Sequence, residues 1–447
     1  MSVFSPLDGR YQEILPFSLS EEAWLKAQVK VESEWLLELK AQGFIKEALD
    51  AALLDKALKG LSQEEITEIE KVTQHATRAL VESIANRLKK AGLEESARWV
   101  HVGLTSFDTV DTAQRYRIKE FMTQDFMPEL QIFLKELARW TETHKNTPQV
   151  GRTHGQWAVP SFFGLLFSES LDRILDQMPR VKESIANLRG QASGAVGGYQ
   201  ATSLLVDKPL ELEKSFLKRL NLKPAYASSQ ILPPEDLVNL ATDLFVLASS
   251  TAKLANDLRH LARSEIAEIA EGMSPGQVGS STMPQKRNPW NFEHVCSLYK
   301  VLQSRLNLLQ IDMVTEHQRD LTNSASGRFY IEYFSVIYLM LKRMNKVLPR
   351  MEAFPENMKH NLDRAGGSVF GEALYVGMTS RGVGDAHSKV REGARESEKT
   401  GKDLLDVLAS QKVLPEGFGP AQIKEKIYIG AQDKLKTVLK KFQEFQN

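Results

Sequence analysis

An all-α protein organised around a bundle of very long helices is what three features of this sequence predict. Residues 235–271 contain no glycine or proline, and as a single helix that stretch would be about 55 Å long at 1.5 Å per residue. Within it Leu237, Leu240, Leu244, Leu247, Thr251, Leu254, Leu258 and Leu261 alternate spacings of three and four, the heptad seam of helices that pack lengthwise. Residues 290–346 are interrupted only by Gly327 and read as one or two further long helices of the same bundle. Convincing strand alternation is nearly absent.

Taken in order, residues 1–17 carry Pro6 and Pro16 and no clear period, and read as an N-terminal arm. Ser20 followed by Glu21 and Glu22 is a helix start, and Trp24, Val31, Trp35 and Leu39 keep helical spacing up to about Gly43. Periodicity predicts further helices over 45–59, 62–91 and 109–145. After Pro349 the pattern is broken by Pro355, Gly366, Gly367, Gly371, Gly377, Gly382 and Gly384 into shorter helices. The expected division is an N-terminal helical domain over 1–104, a central bundle over 105–348 with a loop at 272–289, and a smaller C-terminal helical domain over 349–447. Helices this long need more partners than one chain easily supplies, so a homo-oligomer is expected.

The chain has 447 residues, 42% apolar and 26% charged, enough for two or three domains and a large core. Lys plus Arg equals Asp plus Glu at 57 each, which argues against nucleic acid or an anionic membrane as partner. The lone Cys296 excludes an intramolecular disulfide and a multi-cysteine metal cluster. No basic segment followed by an apolar run opens the chain, and no run of about 18 apolar residues stands out, so a cytoplasmic location is expected.

The chemistry concentrates in residues 272–289. Gly272, Gly276 and Gly279 leave the backbone free, Ser280 and Ser281 offer adjacent hydroxyls, and Lys286, Arg287 and Asn288 supply charge and donors between Pro284 and Pro289. A serine takes a proton only in an electropositive setting, which Lys286 and a helix starting after Pro289 would provide. By composition alone the stretch also reads as a Ser/Gly linker before a Pro-started helix. Elsewhere, His154 lies between Gly151 and Gly155 at a break after Pro148, where a histidine is suited to deliver a proton. Thr105 and Ser106 precede Asp108 in a helix-start arrangement suited to gripping a carboxylate, or to plain capping. His75 and Glu293, taken singly, are ordinary helical side chains.

Together these residues carry a resemblance. Residues 279–289 fill every fixed position of the GSSxMPxKxNP signature of the fumarase/aspartase/argininosuccinate lyase superfamily. The segment from Thr153 to Gln156 is similar to that superfamily's TxxHxQ-type segment, 99–108 to its VHxGLTSxD segment, and 70–75 to the segment that places a second histidine. The resemblance implies an all-α, three-domain fold whose long helices form a tetramer core. It implies Ser280 as catalytic base, His154 as general acid held by Glu293 thirteen residues after Ser280, and Lys286 and His75 as further catalytic residues. Thr105, Ser106, Asn288, Ser281, Met283, Arg287, Thr153, Gln74 and His101 are implied to bind substrate.

The leaving group is read from two other stretches. Arg10 and Tyr11, inside 5–11, resemble the SPLDGRY opening of adenylosuccinate lyases, and 318–328 resembles their RDxTxSxxxR pattern through Arg319, Ser324 and Arg328. Paired arginines suit a phosphate. Gln230 keeps that family's substrate-binding glutamine. The resemblance covers nearly the whole chain and implies adenylosuccinate and SAICAR, the succinylated imidazole-carboxamide ribotide, as substrates. It further implies no metal or organic cofactor and a homotetramer whose sites are shared between subunits. Three positions depart from the pattern: Gln285 replaces histidine, Ala76 replaces aspartate, and Pro234 stands where arginine is usual. The alternatives are an argininosuccinate lyase or carboxymuconate cycloisomerase on the same fold, or a non-catalytic helical scaffold.

Overall fold

The computed structural model describes residues 11, 14–273, 276 and 279–446. Helix α1 (Glu21–Ala41) starts where the sequence places it, with the Ser20 hydroxyl accepting from Ala23 N at 3.1 Å. Its Val31, Trp35 and Leu39 are fully buried. Helix α2 (Ala51–Leu58) is shorter than expected because Asp50 caps it, accepting from Leu53 N. The single helix expected over 62–91 is two, α3 (Gln63–Thr73) and α4 (Ala76–Lys90). Gln74 turns left-handed at φ 49° and the His75 ring caps α4, accepting from Arg78 N at Nδ1. No glycine or proline announces that break.

After α5 (Glu94–Trp99), the run expected from 109 to 145 is α6 (Ser106–Glu120), a π-helical turn (Phe121–Phe126) and α7 (Met127–Thr143). Pro128 lacks an amide proton and crowds the preceding turn, and a widened turn ahead of it relieves both. The region around His154, expected as a simple break between helices, is an antiparallel hairpin of β1 (Pro148–Thr153) and β2 (Gln156–Phe162). His154 and Gly155 form its two-residue turn with φ of 54° and 75°, the twist that matches paired strands. Its polar Gly-Arg-Thr-His-Gly-Gln tip hides the alternation from a sequence reading.

The long helices follow: α8 (Gly164–Ala186), β3 (Arg189–Gly190), α9 (Pro209–Arg219), β4 (Lys223–Pro224), α10 (Glu235–Leu261), β5 (Ile269–Ala270), α11 (Trp290–Ile311) and α12 (Tyr330–Val347). Helix α10 ends ten residues before the expected 271, because the chain turns through Ala267 at φ 49° and Ile269–Ala270 pair with β6 (Glu352–Ala353). Its seam is as expected, with Leu237, Leu240, Leu244, Leu247, Thr251, Leu254 and Leu258 buried. By length and composition α10 would cross a bilayer, yet most of its apolar window is buried inside the protein. The second expected run is two helices, separated by residues 312–329 with a 3₁₀ turn at Ser326–Phe329.

Helices α13 (Pro355–Ala365), α14 (Gly371–Thr379), α15 (Ala386–Thr400), α16 (Leu404–Ser410), α17 (Pro420–Lys426) and α18 (Ile429–Gln446) complete the chain. Leu374, Met378, Leu404, Leu408 and Phe418 form a core of their own there. By contact density the chain divides into two units. Unit 1 comprises residues 1–130, 177–248 and 298–340, and unit 2 comprises 131–176, 249–297 and 341–447. Both take segments from the central 105–348 stretch, so this division cuts across the sequence order.

Candidate active site

In unit 2 the Ser280 loop leaves β5 and returns into α11. Its two ends are tied by the buried Glu271, whose carboxylate accepts from Asn291 Nδ2 at 2.6 Å and Phe292 N at 3.0 Å at the start of α11. Burial raises the Glu271 pKa against those bonds, and neighbouring Glu293 adds to the rise. Higher in the loop a Cβ on Gly279 would lie 2.1 Å from the Lys286 carbonyl oxygen, so only glycine fits. Asn288 Nδ2 donates to the Gly279 carbonyl at 3.1 Å and closes the same turn. Ser280 Oγ accepts from Met283 N at 3.2 Å, a bond that favours negative character on the oxygen. Ser281, Met283, Lys286 and Arg287 are exposed, and Arg287 reaches Glu352 at 3.4 Å.

His154 and Thr153 are exposed at the hairpin tip, and the hairpin is anchored from below. Fully buried Glu268 accepts from Arg152 Nη2 at 2.7 Å, Gln149 Nε2 at 2.5 Å and Asn361 Nδ2 at 2.9 Å. That binds β1 to α13 and fixes where the turn projects. Glu293 lies exposed in the first turn of α11. Among the described residues no hydrogen bond or ion pair joins His154 to Glu293 or to Ser280.

In unit 1 the expected anion-binding residues are drawn together by buried carboxylates. Asp108, in the first turn of α6, accepts from Thr105 N at 2.8 Å, Ser193 N at 3.0 Å and Gly194 N at 3.1 Å. Burial pushes its pKa up to about 6, while those three backbone bonds pull the other way. The half-buried Thr105 and Ser106 therefore sit at the free N–H end of a fifteen-residue helix, a setting that favours a carboxylate. The Arg319 guanidinium lies 3.8 Å from the ring centre of Phe107, the residue after Ser106. Gln230 N donates to the Gln318 carbonyl at 3.2 Å, and Gln191 Nε2 donates to the Gln230 carbonyl at 2.7 Å. Asp111, one turn into α6, accepts from Leu232 N at 2.8 Å and lies 3.4 Å from Arg115.

The segments around Phe107, Gln230 and Arg319 are thus neighbours. His101 adopts φ 63° and meets Glu32 Oε1 with Nδ1 at 2.7 Å. Ser324 and Arg328 are exposed in the same 312–329 segment as Arg319. Gln74 and His75 are exposed at the α3–α4 break, and Arg78 in the turn that His75 caps lies within electrostatic range of His101. Tyr11 is buried, and Arg10 lies outside the described residues. The sequence reading missed Glu32, Asp111, Glu268 and Glu271 and passed over Asp108 as a mere neighbour. The available signal for Glu32 was a carboxylate on the same helical face as Trp35 and Leu39.

A family model described as lyase matches residues 11–301, and one described as adenylosuccinate lyase C-terminal matches residues 315–420. The chain is 36% identical over 413 residues to adenylosuccinate lyase of Pyrococcus abyssi, covering 90% of this chain and 89% of that one. It is 33% identical over 455 aligned residues to the Pyrococcus horikoshii adenylosuccinate lyase, covering 99% and 98%. With the Helicobacter pylori adenylosuccinate lyase (strain 26695) identity is 35% over 339 residues, covering 74% and 73%. Among solved structures, the 3-carboxy-cis,cis-muconate lactonizing enzyme from Pseudomonas putida superposes with a TM-score of 0.82 at 22% identity, covering 98% of this chain and 97% of that one. A fumarate lyase from Mesorhizobium sp. BNC1 gives 0.79 at 22% identity, covering 94% and 96%. These last two likenesses bear on the fold alone, whereas the sequence matches extend along nearly the whole chain: it belongs to the adenylosuccinate lyase family.

Proposed function

We propose that this chain is a C–N lyase that eliminates fumarate from adenylosuccinate to give AMP, and from SAICAR to give the corresponding carboxamide ribotide. The observation that carries the reading is the grouping in unit 1. The α6 N-terminus with Thr105 and Ser106 suits a succinyl carboxylate, and Arg319 beside Phe107 suits a phosphate or a nucleotide.

In the proposed reaction Ser280 removes the proton from the succinyl carbon next to a carboxylate. Lys286, Asn288, Thr105 and Ser106 hold the dianionic carboxylate that develops, where fixed donors and charge act most strongly. The Met283 N–H on Ser280 Oγ supports that role by stabilising the alkoxide. His154, held by Glu293, then protonates the departing nitrogen as the C–N bond breaks and fumarate forms. His75 assists, with its Nδ1 committed to capping α4 and its Nε2 left to face the substrate. Arg10, Tyr11, Arg319, Ser324 and Arg328 bind the phosphate. Gln230, Gln74, His101, Thr153, Ser281, Met283 and Arg287 complete the binding set.

The active form is read as a cytoplasmic homotetramer whose sites are shared between subunits. Sedimentation velocity should give a tetramer, and a stable monomer of full activity would overturn the sharing. The activity is tested by supplying adenylosuccinate, SAICAR and argininosuccinate in parallel to the purified protein. Fumarate from the first two only is expected, and release from argininosuccinate would overturn the phosphate assignment.

A further inference from the structure

Glu32 has no part in the chemistry above, yet it is fully buried in the middle of α1. Its Oε1 meets His101 Nδ1 at 2.7 Å and accepts from Thr109 Oγ1 at 2.6 Å, and among the described residues its Oε2 has no hydrogen-bond partner. A carboxylate taken wholly out of water is costly unless a cation or several donors face it, and the imidazole is the partner in direct contact. The contact is built with care. His101 holds a left-handed backbone, Leu104 N donates to its carbonyl at 3.2 Å, and Trp35 Nε1 on α1 donates to the Val102 carbonyl at 2.8 Å. The same helix thus supplies both the carboxylate and the clamp on the next residue.

We propose that Glu32 is a positioning residue that holds His101 as an imidazolium, leaving Nε2–H as a cationic donor to an anionic oxygen of the substrate. This rests on His101 being a substrate-binding residue in the lyase reading. The charged groups facing the ring are Glu32 from α1, Asp108 from α6 and Arg78 from α4, two carboxylates against one guanidinium. Burial by itself lowers the proton affinity of the ring, but the Glu32 charge and hydrogen bond outweigh it and the pKa is raised. The imidazolium is therefore present below the raised value and is lost as pH rises through it, and anion binding weakens with it.

The test is Glu32→Gln in the full-length enzyme, followed by NMR titration of 13C-labelled histidine and by kcat/KM against pH with adenylosuccinate. The neutral amide keeps the shape and removes the charge. The His101 titration and the alkaline limb of kcat/KM should move together to lower pH, so that kcat/KM falls about tenfold at alkaline pH for each tenfold loss of proton affinity, with kcat changing less. Glu32→Asp, which keeps the charge, should retain most of the wild-type limb if it folds with a normal thermal midpoint. A histidine titration that moves while the kinetic limb stays, or one that does not move at all, overturns the proposal. If the wild-type protein releases no fumarate from adenylosuccinate, the lyase reading fails while the titration still judges the Glu32–His101 pair. Binding of AMP and of fumarate as separate probes distinguishes a phosphate from a carboxylate as the anion: weakening of one at alkaline pH by the variant identifies it, and weakening of neither counts against the proposal.

Discussion

Unit 1 and unit 2 hold their candidate residues in opposite ways. In unit 1 His101, Thr105, Ser106, Gln230 and Arg319 are half-buried and tied to the structure beneath them: Thr105 by Asp108, His101 by Glu32, and the segments of Gln230 and Arg319 by their own backbone bond with Asp111 nearby. In unit 2 the groups assigned to proton transfer lie on tight turns, His154 exposed and Ser280 half-buried. Their support lies one layer down, Glu271 closing the Ser280 loop and Glu268 anchoring the His154 hairpin. Groups that recognise a fixed anion gain from being locked in place before it arrives. Groups that exchange protons with a reacting centre need access to it, and here the scaffold is rigid while the reactive atom is left open.

The largest effect expected from this contrast is at Ser280. Ser280→Ala should lower turnover by about a thousandfold while leaving substrate binding nearly intact, as read by single-turnover kinetics and equilibrium binding. Near-normal turnover would remove the serine as base. Glu271→Ala unties the loop ends and should cost about a hundredfold in turnover through misplacement of Ser280, with AMP affinity retained. Equal loss of AMP affinity would erase the distinction between the two units. Arg319→Ala should act in the complementary way, raising KM about 10- to 100-fold with little change in kcat. A drop in kcat alone would place Arg319 in the chemistry instead.

The smallest effect concerns stability. Asp108 has its pKa raised by folding to about 6, so below that pH the folded chain takes up a proton that the unfolded chain does not, until the ordinary carboxylate range near 4 is reached. Its contribution to stability therefore grows as pH falls through this window and is lost as pH rises through about 6. Asp108→Asn removes the dependence. The difference in urea stability between about pH 5 and about pH 7.5 should shrink by on the order of 1 kcal/mol in the variant, and an unchanged difference would mean that Asp108 is not the group responsible.

The helical class, the Ser20 cap, the leucine seam of α10 and the composition of the Ser280 loop were all legible from the chain alone. Each is a local property: a cap needs residues three apart, and a seam needs spacings of three and four. The segments expected to bind the succinyl group and the phosphate were named through a family resemblance rather than through spacing, and the fold brings Phe107, Gln230 and Arg319 close to one another. What escaped the sequence was set by partners far along the chain. The break at Gln74 and His75, the hairpin turn at His154, and the end of α10 each use a non-glycine residue at positive φ, a conformation that local preference disfavours and surrounding contacts must hold. Likewise Glu32 meets a ring 69 residues away and Glu268 a guanidinium 116 residues away. Local sequence determined which segments are helical and which carry reactive groups. Tertiary structure decided where the helices stop and which buried carboxylates orient the site, because a strained turn or a charge taken out of water is stable only beside a partner that the fold alone brings to it.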